Sequence, residues 1–241
     1  MVISAPGAPL PAVVAVPEGD GPFPGVLVIH DAGGLSNDTR RQAEWLASEG
    51  LLAVAPDLFR GGPIVRCMFS AGRDLTRGHG RAFDDLDATR RWLLARPDCT
   101  GRVGVVGFCI GGGFAMVLAF GRGYDSSSVN YGTTPRRFLE SVDVESACPI
   151  VASYGRKDRG NRGSAERLRT MLDAAGVPHD VKEYPDAGHG FINDHEGAGD
   201  RIPLLFQVMS WATRTRYDPR AAEDAKRRII AFFDEHLTPK A

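Results

Sequence analysis

The sequence predicts an α/β protein with a mostly parallel central sheet and helices on both faces of that sheet. Three observations lead to this prediction. Runs of apolar and β-branched residues alternate along the chain with amphipathic stretches. Several of these runs are apolar at almost every position, such as GVLVIH at residues 25–30, which is typical of strands buried on both faces. The alternation continues to the C-terminal region without a repeat or an obvious linker, so one domain over residues 1–241 is expected.

Each element follows from its local pattern. The expected strands, which are runs of apolar residues bounded by turn residues, are 12–16, 25–30, 51–56, 102–106, 127–131, 149–154 and 179–184. The expected helices are 38–48, 83–95, 111–120, 165–175 and 221–237. Asp38 is expected to cap the first of these helices and Gly50 to end it. Residues 60–80 are interpreted as a loop.

Residues 197–217 do not fit the alternation. Their middle, 202–211, is rich in bulky apolar side chains although it lies between the last expected strand and the last helix. Two interpretations stay open. The stretch is either an extra helix packed on the body or on a partner subunit, or a lid or wall of the active-site cleft.

The bulk composition excludes several classes of function. The 241 residues carry a formal net charge of −1 with scattered basic residues, which argues against nucleic acid or an anionic membrane as a partner. The four cysteines are too widely spaced for a disulfide framework or a CxxC metal site, so reduced thiols are expected. The N-terminal residues lack a signal-peptide pattern, and no apolar run reaches the roughly 18–20 residues of a membrane span. We therefore expect a cytoplasmic protein, either a monomer or a homodimer.

A cofactor is not expected either. The sequence contains no P-loop, no HExxH motif and no dinucleotide-binding glycine pattern in its first strand–helix unit. A metal is not needed for catalysis if the nucleophile is a side chain, and residues 102–114 indicate such a nucleophile.

The most informative segment is RVGVVGFCIGGGF at residues 102–114. A buried strand runs into Gly107-Phe108-Cys109-Ile110-Gly111 and a helix follows, which is the G-x-nucleophile-x-G elbow with cysteine in place of serine. Such a turn is strained, and glycines two residues before and after the nucleophile avoid clashes with neighbouring backbone. The side chain then projects at a helix N-terminus, where the dipole and free N–H groups favour a thiolate and a developing oxyanion. Taken alone, the match is equally explained by a buried cysteine among glycines that let a helix pack closely.

An acid and a histidine follow in the chain order of the α/β-hydrolase fold, which is nucleophile, acid, histidine. Asp158 comes just after the strand at 149–154, and His189 lies between glycines after the strand at 179–184. His189 would activate the thiol of Cys109, while Asp158 would fix the histidine tautomer and stabilise the imidazolium. Asp158 alone is better explained as a solvated turn residue, so the assignment depends on the order and strand context of the whole set.

Other titratable residues are weaker candidates. Asp186 is too close to His189 within one turn, and His195 lies in a polar stretch. The remaining histidines considered are His30, His79 and His236. They do not lie at the position in the chain where a catalytic histidine is expected.

Two backbone N–H groups are expected to form an oxyanion hole. One is that of Ile110, directly after the nucleophile. The other belongs to the loop after the strand at 25–30, where Ala32 is the expected donor.

These motifs together resemble the dienelactone hydrolase (carboxymethylenebutenolidase) family, and the resemblance extends over roughly residues 21–237. The segments that carry it are 30–35, 55–59, 107–112, 154–155 with Asp158, and 187–191. The cysteine elbow is the most specific of them, since most α/β-hydrolases have serine there. The resemblance implies the α/β-hydrolase fold, a Cys-His-Asp triad and hydrolysis of esters or lactones.

The sequence departs from the family at two places. In the family a glutamate after the second strand contacts the resting cysteine and takes part in its activation. Asp31 occupies this position with a side chain one methylene shorter, and we expect it to take the same part. The characterised dienelactone enzymes also bind the substrate carboxylate with an arginine shortly after the catalytic histidine. Here His189 is followed by Gly190-Phe191-Ile192-Asn193, which contains no arginine.

An arginine from residues 60–80 or just beyond could replace the missing one. Arg73, Arg77 and Arg81 are the candidates, although each is better explained as a surface residue.

The expected chemistry is acyl transfer through a thioester on Cys109. A thiolate leaves more readily than an alkoxide, so activated esters and enol lactones are the favoured substrates. Two alternatives stay open. One is other hydrolase chemistry on the same scaffold, such as thioester, peptide or carbon–halogen cleavage. The other is a non-catalytic binding or redox-sensing protein with a reactive thiol, although no other cysteine shows an obvious pairing with Cys109.

Overall fold

A computed structural model describes residues 1–133, 136–200 and 215–238. Its strands are β1 Val2–Ile3, β2 Leu10–Ala15, β3 Phe23–Ile29, β4 Leu52–Pro56, β5 Cys99–Phe108, β6 Ser126–Asn130, β7 Ile150–Gly155 and β8 His179–Tyr184. They form an eight-stranded sheet in the order β1-β2-β4-β3-β5-β6-β7-β8. Strand β2 is antiparallel to β1 and β4, and the other neighbouring strands are parallel.

Helices cover both faces of this sheet. They are α1 Asn37–Ser48, α2 Ile64–Arg77, α3 Arg81–Leu94, α4 Ile110–Leu118, α5 Arg136–Ser141, α6 Ser164–Ala174 and α7 Pro219–Leu237. Short 3-10 turns occupy Val144–Ser146 and Arg159–Asn161. Within the described residues, no helix combines the length and the apolarity that crossing a membrane requires.

Successive residues of β3 show how the two layers form. Val26 and Val28 point to one face and pack with side chains of α1 and α7. Leu27 and Ile29 point to the other face and pack with side chains of α2, α3, α4 and α6. Because both faces are covered, the strand must be apolar at every position, which explains the continuous run in the sequence. The predicted fold class, a mostly parallel sheet with helices on both faces, is confirmed.

Two local predictions were wrong. Residues 60–80 are not a loop, because α2 occupies most of them. This helix begins after Pro63 without a side-chain cap, so the sequence lacks a start signal for it, and it leaves Phe69 69% exposed. Helix α1 is capped by Ser36, whose hydroxyl accepts from the Thr39 N–H at 3.2 Å, and not by Asp38.

The stretch 197–217 is described only at its ends. Residues 201–214, which include the apolar middle at 202–211, lie outside the described residues. The choice between an extra helix and a lid therefore stays a prediction.

The register of the sheet brings five loops to one edge. Ile29 lies opposite Gly107, Phe108 opposite Asn130, and Gly155 opposite Tyr184. The parallel strands β3, β5, β6, β7 and β8 therefore all end at the same edge, which is where functional groups collect in open α/β sheets.

Two glycines allow close backbone contacts between the elbow and the ends of β3 and β5. A Cβ on Gly107 would lie 2.0 Å from the carbonyl oxygen of Gly111. A Cβ on Gly111 would lie 2.3 Å from the carbonyl oxygen of Ile29. Both distances are far inside van der Waals contact with backbone atoms, which cannot rotate away. The first turn of α4 therefore sits directly on the ends of β3 and β5.

We predict that Gly107→Ala lowers the free energy of unfolding by about 3 kcal/mol or more, because the added methyl must displace backbone. Gly72→Ala is the matched control, since Gly72 lies within α2 and a Cβ there meets nothing within 4 Å. It should raise stability by about 0.5–1 kcal/mol, the usual gain from alanine in a helix interior. Urea unfolding followed by circular dichroism measures both changes. Equal effects of the two substitutions would show that the elbow is not tightly packed.

Candidate active site

Cys109 lies at the turn between β5 and α4. Its backbone has φ 56° and ψ −116°, a left-handed conformation that costs a non-glycine residue about 1–3 kcal/mol. The turn is held on both sides, because the Cys109 N–H donates to the Asn130 carbonyl at 3.1 Å and the Cys109 carbonyl accepts from the Gly113 N–H at 3.1 Å. The thiol is thus presented at the N-terminus of α4 by a strained and fully bonded turn, as the sequence pattern predicts.

His189 and Asp158 reach the same place from the ends of β8 and β7. The His189 Nδ1 lies 2.7 Å from the Asp158 Oδ2, and the Asp158 side chain is only 1% exposed. The carboxylate also accepts from the Asn161 amide at 2.8 Å and from the Gly160 N–H at 3.0 Å. On its other side, the His189 ring interacts with the side chain of Cys109. The structure thus brings the three side chains together in the order thiol, imidazole, carboxylate.

The contacts between these side chains raise the pKa of His189 and lower that of Asp158. Burial alone would lower the pKa of His189, but the charge of Cys109 and the hydrogen bonds with Asp158 and Cys109 raise it to about 10. Burial likewise would raise the pKa of Asp158, but the hydrogen bond and charge of His189 bring it below its usual value. The surroundings therefore favour an imidazolium between the sulfur and the carboxylate.

Tyr131 also contacts the site, and sequence reasoning missed it. Its ring is fully buried and meets the rings of His189 and Phe191 edge to face, with centroids 5.2 Å and 5.4 Å away. Its hydroxyl donates to the side-chain Oδ1 of Asn193, and its backbone carbonyl accepts from the side-chain amide of Asn161 at 2.9 Å. The residue has φ 42°, so it is strained as well as packed. Tyr131 thereby restrains the His189 ring, a role that no motif in the sequence indicates.

Both expected oxyanion donors lie beside the elbow. Ile110 is the first residue of α4, so its N–H has no acceptor within the helix. A Cβ on Gly111 would lie 2.6 Å from the His30 carbonyl oxygen, so the loop that carries Ala32 starts against the first turn of α4. Donor groups and thiol therefore share one edge of the sheet. The use of Ile110 and Ala32 as an oxyanion hole stays a prediction.

His30 is a structural residue. Its Nδ1 lies 2.7 Å from the Asp31 carbonyl, and its Nε2 accepts from the Leu58 N–H at 3.2 Å. These partners require a proton on Nδ1 and none on Nε2, and burial lowers the pKa of His30. The neutral ring joins the ends of β3 and β4.

Asp31 has partners that the sequence does not suggest. Its Oδ1 accepts from the Gly33 N–H at 2.8 Å, and its Oδ2 lies 2.6 Å from the Nε2 of His195. The Nδ1 of His195 in turn lies 2.9 Å from the Asp200 Oδ2. Both oxygens of Asp31 are thus engaged outside the thiol, and its expected part in activating Cys109 stays a prediction. His195 was considered a weak candidate because it lies in a polar stretch, and its partner Asp31 is 164 residues away along the chain.

The arginine candidates lie in or next to α2. Arg73 and Arg77 are exposed on that helix. Arg81 begins α3, where it donates to the Leu58 carbonyl at 3.0 Å and lies 3.6 Å from Asp85. Binding of a substrate carboxylate by any of them stays untested.

Comparison with known proteins agrees with this architecture. A sequence model of the dienelactone hydrolase family matches residues 10–237. A carboxymethylenebutenolidase of Rhodococcus opacus is 26% identical over 225 residues, which cover 88% of this chain and 81% of that protein. A crystal structure from Klebsiella pneumoniae subsp. pneumoniae, provisionally assigned as a dienelactone hydrolase, matches with a TM-score of 0.76 at 26% identity over 97% of this chain and 96% of the other. A dienelactone hydrolase-like promiscuous phosphotriesterase from metagenomic libraries matches with a TM-score of 0.75 over 98% of this chain and 97% of the other, but its 20% identity shows the fold alone.

The raised pKa of His189 can be measured directly. We predict that NMR titration of the wild-type protein finds this imidazole protonated well above the usual histidine pKa. In Cys109→Ala the pKa of His189 should fall, because the negative charge next to the ring is removed. His195 is the internal control, because its partners are Asp31 and Asp200 and its titration should not move. A wild-type His189 that titrates at or below about 6.5 would contradict the described contacts.

Proposed function

This chain belongs to the dienelactone hydrolase family, and from that premise we propose that it hydrolyses activated esters or enol lactones with Cys109 as nucleophile. One observation carries the proposal. His189 is hydrogen-bonded to Asp158 on one side and interacts with the side chain of Cys109, at the N-terminus of a helix, on the other. The enzyme class is an ester or lactone hydrolase, and its partner is a small-molecule substrate.

In the first stage the Cys109 thiolate attacks the carbonyl carbon of the substrate and forms a carbon–sulfur bond. The carbonyl oxygen gains the negative charge and is stabilised by the N–H groups of Ile110 and Ala32. When the intermediate collapses, the carbon–oxygen bond to the leaving group breaks and the His189 imidazolium gives it a proton. The products are an acyl-thioester on Cys109 and an enol or alcohol, which is released from an ester but stays attached to the acyl group when the substrate is a lactone.

In the second stage the neutral His189 takes a proton from water, and the resulting hydroxide attacks the thioester. The carbon–sulfur bond breaks, the acid leaves and the Cys109 thiolate is restored next to a protonated His189. Asp158 stays ionised throughout. Its hydrogen bonds to Asn161 and Gly160 fix its position, so the histidine keeps the tautomer with a proton on Nδ1.

The choice of nucleophile limits the choice of substrate. At the tetrahedral intermediate the thiolate and the substrate oxygen compete to leave. An alkoxide is the poorer leaving group, so an unactivated ester mostly returns to starting material. An enolate or a phenolate leaves readily, which favours enol lactones and aryl esters.

Hydrolysis of p-nitrophenyl acetate tests the assigned residues. Cys109→Ala and His189→Ala should abolish turnover, and Asp158→Asn should lower kcat by about 10²- to 10⁴-fold because the histidine loses its orienting carboxylate. Cys148→Ser is the matched thiol control. Cys148 precedes β7 at the opposite edge of the sheet, and burial raises the pKa of its thiol to about 12, so kcat should not change. Undiminished activity of Cys109→Ala would show that the nucleophile is misassigned.

Leaving-group selectivity is tested with vinyl acetate and ethyl acetate, which share the acyl group and have almost the same size. We expect turnover of the vinyl ester, whose enol leaves readily, and no measurable turnover of the ethyl ester. A pH-stat records acid release from both esters under the same conditions. Similar rates for the two would contradict a thiolate nucleophile, because only the leaving group differs.

A further inference from the structure

His195 lies between two carboxylates, one of which belongs to the loop that carries Ala32. Its Nε2 is 2.6 Å from the Asp31 Oδ2, its Nδ1 is 2.9 Å from the Asp200 Oδ2, and its side chain is 18% exposed. We propose that His195 is a positioning residue that holds the Ala32 loop, residues 31–34, in the conformation required by the oxyanion hole. The inference rests on the proposed function, since it assigns a residue to the same reaction.

The first step of the argument is that Asp31 shapes the Ala32 loop. Its side chain accepts from the Gly33 N–H at 2.8 Å, which is an Asx turn around Ala32. Its carbonyl accepts from the Gly34 N–H at 3.2 Å and from the His30 ring at 2.7 Å. The direction of the Ala32 N–H therefore follows from where Asp31 is held.

The second step is that His195 fixes Asp31. Asp200 holds the opposite side of the His195 ring, and its two oxygens also accept from the N–H groups of Asn37 at 2.8 Å and Asp38 at 3.1 Å. We call Asp31, His195 and Asp200 the His195 clamp. It joins the Ala32 loop to the start of α1 and to the segment that follows His189.

The third step concerns charge. Each ring nitrogen of His195 faces a carboxylate, and a neutral imidazole has only one N–H to donate. Asp38 on α1 adds a further negative charge nearby. Burial lowers the pKa of His195, but the hydrogen bonds and charges of these carboxylates raise it to about 10. The imidazolium can therefore donate to Asp31 and Asp200 at once, which a neutral side chain at this position cannot do.

The clamp also explains why loss of His195 should affect the reaction and not only the fold. An oxyanion donor acts on charge that develops in the transition state, and removing one typically costs about 10²- to 10³-fold in kcat. Displacing a group by about 1 Å can cost about 10²-fold. Substrate binding in the ground state does not need this donor, so the loss should fall on kcat and not on KM.

The test measures hydrolysis and thiol reactivity side by side in wild type, His195→Ala and His195→Gln. We expect His195→Ala to lower kcat for p-nitrophenyl acetate by about 10- to 100-fold, with KM changed by less than about threefold. The rate of Cys109 alkylation by iodoacetamide should stay as in wild type, because displacement of iodide develops no oxyanion. His195→Gln keeps a donor that can reach Asp31 and should retain more activity than His195→Ala.

Two further variants test whether the loss of activity is specific to the His195 clamp. His79→Ala removes an exposed histidine and should leave kcat unchanged. Asp200→Asn keeps the size of the side chain and an acceptor for α1, but it removes the charge that faces His195. It should lower kcat in the same direction as His195→Ala even if that variant folds poorly, which its Tm would report.

Different results overturn different statements. An unchanged kcat in folded His195→Ala and in Asp200→Asn overturns the His195 clamp while the proposed function stands. A parallel fall of alkylation and kcat also overturns it, because the clamp would then act on the thiol. Wild-type protein that alkylates at Cys109 but hydrolyses no activated ester or enol lactone overturns the proposed function itself.

Discussion

The backbone contact between the first turn of α4 and the ends of β3 and β5 is the constraint on which the site depends. Gly111 lies so close to the carbonyl oxygens of Ile29 and His30 that no side chain fits between them. This contact places the Cys109 thiol, the free N–H of Ile110 and the start of the Ala32 loop within one small region. The strain in the turn is tolerated because the bonds of Cys109 to Asn130 and Gly113 hold it from both sides. A looser turn would separate the thiol from the N–H groups that we propose as oxyanion donors.

His30 is buried and His189 and His195 are partly buried around this turn, and their pKa values differ because their partners differ. His30 faces a carbonyl and a backbone N–H, and its pKa is lowered by burial. His189 and His195 are also desolvated, but each faces at least one carboxylate, and their pKa values are raised. Burial alone therefore does not decide protonation, because a charged partner within hydrogen-bonding distance outweighs it. His30 connects the ends of two strands, whereas His189 and His195 each lie against a carboxylate of another segment.

The elements that the sequence predicts well are those specified by local pattern. A strand buried on both faces must be apolar throughout, and the elbow must carry glycines at fixed spacing, so β3, β5 and Cys109 can be identified without a structure. Contacts between distant segments leave no such signal. Asp31 meets His195 across 164 residues, and Tyr131 meets Asn193 across 62, so neither pair could be found by reading along the chain. Helix α2 was missed for a different reason, since it lacks both a cap and a broad buried face.

The structure gives a physical reason for both departures from the family pattern, which are the aspartate at position 31 and the missing arginine after His189. A carboxylate that bonds the N–H two residues further on must have a short side chain, so aspartate suits the Asx turn at Asp31 better than glutamate would. The second departure places Asn193 after His189, where its amide accepts from Tyr131 and donates to Asp38 at 2.5 Å. An amide committed to two buried partners offers no charge to a substrate carboxylate. The segment after His189 thus holds Tyr131 and Asp38 through Asn193 and Asp31 through His195, while residues 190–193 carry no cationic side chain for a substrate carboxylate.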